Sequence, residues 1–74
     1  MQVARQIEQE NQVEGLKAFV TKEPQWEGKD VYSLMYEFDT GSVQYFIVEN
    51  GKPRNMSEDE VIGMIRVGWH PSEE

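Results

Sequence analysis

Polar and apolar residues alternate most regularly over residues 31 to 38, VYSLMYEF, where Tyr32, Leu34, Tyr36 and Phe38 share one face and Val31, Ser33, Met35 and Glu37 the other. A period of two is that of a strand, and the even face is expected in the core. Asp39, Thr40 and Gly41 then supply a turn, and SVQYFIV, residues 42 to 48, returns as a second strand rich in aromatic and β-branched residues. This strand is apolar on both faces, with Val43, Tyr45 and Ile47 on one and Phe46 and Val48 on the other. Register is therefore open. A three-residue loop with Gly41 left-handed sets Phe46 opposite Leu34, whereas a loop of two or four residues sets Ile47 there.

Asn50-Gly51 is the strongest short hairpin signal in the chain, because both residues accept the positive φ of a type I′ turn. It predicts a short strand over Lys52 to Met56, placed at a sheet edge or pairing only briefly because Pro53 has no N–H to give a ladder. A helix follows. Ser57 and Glu60 have the spacing of a capping box, Met56 and Val61 that of a hydrophobic staple, and Glu58, Asp59 and Glu60 suit the positive end of the helix dipole. Val61, Met64 and Ile65 are expected to face the sheet. Gly68 suits the left-handed residue that ends a helix, Trp69 is placed to pack back on Met64, and Pro71 prevents continuation.

The first part of the chain is less patterned. Residues 2 to 11, QVARQIEQEN, are good helix formers with Val3, Ala4 and Ile7 on one side, which predicts a short helix or a frayed end. Residues 13 to 21, VEGLKAFVT, fit a helical spacing through Leu16, Phe19 and Val20 and a strand spacing through Leu16, Ala18 and Val20. Strand is preferred, since Gly15 disfavours a helix interior. Residues 23 to 29, EPQWEGK, read as a loop punctuated by Pro24 and Gly28. The fold class is then α+β: a small antiparallel meander of three to four strands packed by a C-terminal helix, with a possible short N-terminal helix, in one domain over 1–74 and with 72–74 frayed.

Composition narrows the chemistry. A chain of 74 residues supports one thin core, and with no cysteine and a single histidine, His70, neither a disulfide nor a His/Cys metal site is open to it. No cofactor is implied. Seven Lys and Arg stand against fourteen Asp and Glu, a net charge of −7. The cations are scattered, so direct nucleic-acid binding is disfavoured, and an anionic lipid surface is repelled as well. No stretch approaches the ~20 apolar residues of a membrane span and the first residues lack an apolar signal core, so a cytoplasmic protein is expected.

Candidate sites divide between carboxylates and aromatics. Asp39-Thr40-Gly41 resembles the Asp-Thr-Gly signature of aspartic proteases, but this resemblance covers only the turn; the chain is too short for their fold, and a tight turn asks for the same residues. Glu58, Asp59 and Glu60 are explained by helix capping, and His70 by its place at a helix end. Trp26, flanked by Gln25 and Glu27, has the weakest local reason for burial and is the expected apolar anchor of a contact surface. With it are grouped Glu27, Asp30, Glu37, Asp39 and Glu49 as phosphate stand-ins, and Tyr45 and Phe46 on the strand that one helix leaves uncovered. In size, acidity and layout the chain resembles small phage-encoded inhibitors of bacterial enzymes, including anti-CRISPR and anti-restriction proteins. That resemblance implies a non-enzymatic module whose partner is a larger protein with a basic, nucleic-acid-binding surface. The alternative is a homodimer, or a structural subunit, joined through the apolar sheet face.

Overall fold

The computed structural model describes residues 2–72, the side chain of Thr40 excepted. The chain runs α1 (Val3–Glu10), β1 (Ala18–Trp26), β2 (Lys29–Tyr36), β3 (Asp39–Glu49), β4 (Lys52–Asn55) and α2 (Glu58–Arg66). The strands form one antiparallel sheet in the order β1-β2-β3-β4, the expected α+β meander. A helix lies on each face.

Alternation along the strands sorts the core into two clusters. On one face Ile7 of α1 is buried with Leu34 and Phe46, flanked by Val3, Ala18, Val20, Tyr32 and Tyr36. On the other, Met64 of α2 is buried with Val31, Ile47, Met56 and Trp69, flanked by Trp26, Tyr45 and Val61. The sheet is thus buried from both sides, which is why β3 is apolar on both faces. The expectation that one face of this strand lies bare is corrected: α1 covers Phe46, and α2 with Trp69 covers Ile47. The N-terminal segment is a real helix because its stripe of Val3, Ala4 and Ile7 has that face to pack on. The Tyr36 hydroxyl donates to the Asn11 carbonyl and ties the end of α1 to β2.

The hairpins refine several boundaries. Asn50 (φ 54°) and Gly51 (φ 77°) make the anticipated turn with positive φ at both central residues. The expected loop at 23–29 is instead the end of β1, a two-residue turn at Glu27-Gly28 and the start of β2. Pro24 is tolerated there because β1 is an edge strand and a bulge falls between Glu23 and Trp26. Residues 13–17 are not strand, and β1 starts at Ala18.

The turn expected at 39–41 lies earlier. Tyr36 pairs with Asp39, so Glu37 and Phe38 form the loop, and Phe38 lies off the core. The register places Tyr32 opposite Phe46 and Leu34 opposite Gln44, neither of the pairings anticipated, because a bulge between Leu34 and Tyr36 takes up extra residues of β3.

At α2 both halves of the capping box form: Glu60 N–H donates to Ser57 Oγ at 3.2 Å and Ser57 N–H to Glu60 Oε1 at 2.9 Å. The helix closes with Gly68 at φ 112°, its N–H on the Ile65 carbonyl and the Trp69 N–H on the Met64 carbonyl, both at 3.1 Å. This is a Schellman pattern, with Trp69 and Met64 as its apolar contact. Ile65, expected on the sheet, is exposed; Val61 and Met64 suffice to fill the face. Ser72, expected to fray, donates its N–H to Glu23 at 2.7 Å, while the rest of the expected frayed tail lies outside the described residues.

Candidate protein-docking site

The β2–β3 turn is built from residues poorly suited to a turn. Phe38 has φ 72°, at the second central position, which glycine or asparagine normally fills. The residue is 87% exposed. The turn holds because both flanks are fixed: Tyr36 pairs with Asp39, and the Glu37 N–H donates to the Lys17 carbonyl at 2.8 Å. The result is a tip with an aromatic ring in solvent, flanked in sequence by two carboxylates. Among the described residues neither Glu37 nor Asp39 enters an ion pair.

The other anticipated site residues fall elsewhere. Trp26, Glu27, Asp30 and Glu49 lie at the opposite end of the sheet, around the β1–β2 and β3–β4 turns. Trp26 is half-buried against the α2 cluster, so it tucks in instead of standing out. Asp30 accepts from Gln25 at 2.8 Å and lies 4.0 Å from Lys22. Glu49 is engaged by two cations, Arg54 at 2.8 Å and Lys29 at 3.1 Å, whose hydrogen bonds hold its carboxyl below the usual range, Arg54 contributing more. A carboxylate so paired is a poor stand-in for phosphate. Glu27 remains exposed.

Tyr45 and Phe46 point to opposite faces. Phe46 is buried beneath α1. Tyr45 packs edge-on to Trp69 at 5.6 Å, and burial, then the Glu23 charge, raises its hydroxyl pKa. The carboxylates and aromatics anticipated from the sequence thus do not form one surface; of them, Glu37 and Asp39 flank the exposed Phe38 in the turn.

Two features escaped the sequence reading. Phe38 looked like the last core residue of an alternating strand, and nothing in Glu-Phe signals a turn. The second is Glu23, 8% exposed, which accepts from the Ser33 hydroxyl at 2.6 Å and from the Ser72 N–H at 2.7 Å. One donor serves each oxygen, and the carboxylate pins the chain after α2 onto β1. Beside it a shallow cleft of about 250 Å3 runs along Phe19, Met35 and Val43, where α2 leaves the sheet. Among the described residues no three His, Asp or Glu side chains converge as metal ligands, and no helix is long and apolar enough to cross a membrane. No family model, curated protein or solved structure matches the chain.

Proposed function

We propose that the chain is a small, acidic, non-enzymatic protein-binding module of the cytoplasm that docks its Glu37–Asp39 tip on a basic, nucleic-acid-binding surface of a larger protein. Phe38 carries this reading. A left-handed backbone at Phe38 opposes folding and a ring left in water contributes nothing to it, and strain of this kind persists where something other than stability requires it. An exposed aromatic ring is also the type of side chain that anchors interfaces. Glu37 and Asp39, unpaired beside it, supply the charge that would steer the tip to lysines and arginines, with the net charge of −7 adding to the field. The role of anchor given to Trp26 on sequence grounds passes to Phe38. This is the manner of action expected of an anti-CRISPR or anti-restriction type of inhibitor.

The test compares affinity capture from the native host by the wild type and by Phe38→Ala. One nucleic-acid-binding protein retained by the wild type, released by salt or by duplex DNA, and lost on Phe38→Ala is the expected outcome. Equal retention by both baits, or a complex insensitive to salt, overturns the reading.

A further inference from the structure

The open edge of β1 has a direction and a length. Lys17 faces β2, because its carbonyl accepts the Glu37 N–H at 2.8 Å. Peptide groups in an antiparallel ladder alternate in the side they face, so Phe19, Thr21 and Glu23 also face β2, while Ala18, Val20, Lys22 and Pro24 face outward. Pro24 agrees with this parity: its carbonyl leaves the sheet and accepts from Trp69 Nε1 at 2.8 Å. Its missing N–H costs the ladder nothing. Beyond Lys22 the edge is closed by Pro24, the bulge and Trp69. From Ala18 to Lys22 it is regular, and the N–H and C=O groups of Ala18, Val20 and Lys22 have no bond outside the sheet among the described residues. The other edge, β4, has four residues and contains Pro53.

We infer that this stretch is a strand-addition site whose occupant is a second copy of the chain, paired antiparallel through Ala18–Lys22 about a two-fold axis at Val20. That register sets Ala18 opposite the second copy's Lys22 and Val20 opposite its counterpart, so all three outward peptide units of each copy are used. An axis one residue away leaves part of the edge unpaired. Closing the two sheets on each other removes the edge, which is otherwise a liability for aggregation.

The side chains complement one another in the same register. A groove of about 410 Å3 lies above this edge, between Ala4, Arg5 and Glu8 of α1 and residues Ala18 to Thr21. Lys22 shares the α1 face of β1, so it enters the second copy opposite Ala18, beside Glu8. Among the described residues its ammonium is paired with Asp30 alone, at 4.0 Å, and the side chain is 60% exposed. On the other face Phe19, 43% exposed, meets Thr21 of the second copy and, diagonally, its own counterpart. Arg5, Lys17 and Lys22, three of the chain's seven cations, border the edge, and Glu8 of α1 offers Lys22 of the second copy an opposite charge.

Sedimentation equilibrium from low micromolar to millimolar protein, with amide exchange followed by NMR, tests this on the full chain. Reversible dimerisation is expected, with exchange at Ala18, Val20 and Lys22 slowing as concentration rises and that at Phe19 and Thr21 unchanged. Lys22→Glu should weaken the dimer roughly tenfold, as two symmetry-related pairs are lost, and adding Glu8→Lys should restore it. Phe38→Ala should leave dimerisation unchanged, so the docking tip and this edge fail independently. A monomer throughout, or a dimer in which Lys22→Glu has no effect and the outward amides stay unprotected, overturns the inference.

Discussion

Phe38 shows how far a single residue can depart from what its surroundings would select. The position suits asparagine, whose short side chain tolerates φ 72°. Phe38→Asn should therefore raise the free-energy difference between folded and unfolded chain by about 1 kcal/mol, read as a later midpoint in urea at unchanged slope. Arg54 is the counterpart among charged residues. Its guanidinium bridges Glu49 and Glu60, with contacts of 2.8 to 3.0 Å. Its hydrogen bond, then that from the Ser57 N–H, lowers the Glu60 pKa from 4.5 to about 2. A carboxyl with a lowered folded-state value contributes stability above its ordinary range, and the contribution disappears as pH falls through the folded value. The gap in melting temperature between wild type and Arg54→Met should thus be constant above pH 5, then shrink toward pH 2. A gap independent of pH would mean that Arg54 acts through packing.

Among the elements, α2 is stabilised by its ends and α1 by its face. Ser57→Ala removes the acceptor for the Glu60 N–H and should cost about 1 kcal/mol, measured by denaturant unfolding. Gly68→Ala forces a side chain onto φ 112° and should cost at least as much. These two ends were legible because capping is local: every partner lies within a few residues. The same holds for Asn50-Gly51. By contrast α1 has no side-chain cap and one buried residue, Ile7. Ile7→Ala should cost about 3 kcal/mol and, by opening the cover over Leu34 and Phe46, should add exposed apolar surface detectable with a hydrophobic dye. A loss under 1 kcal/mol would show that α1 is not part of the cooperative unit. The segment resisted reading because its helix depends on a sheet face assembled from three strands, whose buried members Leu34 and Phe46 lie more than twenty positions from Ile7.

For the molecule as a whole, charge and architecture act at different ranges. With a net charge of −7 and the unpaired Glu37 and Asp39 at the tip, self-repulsion opposes the compact state, so the melting temperature should rise between low and physiological salt. A fall over that range would show that the Arg54, Lys29, Glu49 and Glu60 network outweighs the repulsion. The sheet is the larger determinant. Two helices on opposite faces account for the burial of Phe46 and Ile47, which alternation could not assign, and they leave Phe19 and Val43 exposed at one end of the sheet. Proposed functions follow from this geometry at two separate places, the tip at Phe38 and the edge at Ala18–Lys22.

The amino-acid sequence by itself determined the meander, the turn at Asn50-Gly51, the edge position of the strand holding Pro53, and α2 with both its ends, since each follows from contacts between near neighbours. It also set the acidic surface. Only the tertiary structure decided the register of β2 on β3, because both faces of β3 are apolar and a bulge, not turn chemistry, absorbs the difference. The same bulge moved the turn back to Glu37-Phe38. A residue that alternation assigned to the core thereby became the most exposed large hydrophobic side chain described, and the candidate contact of the molecule.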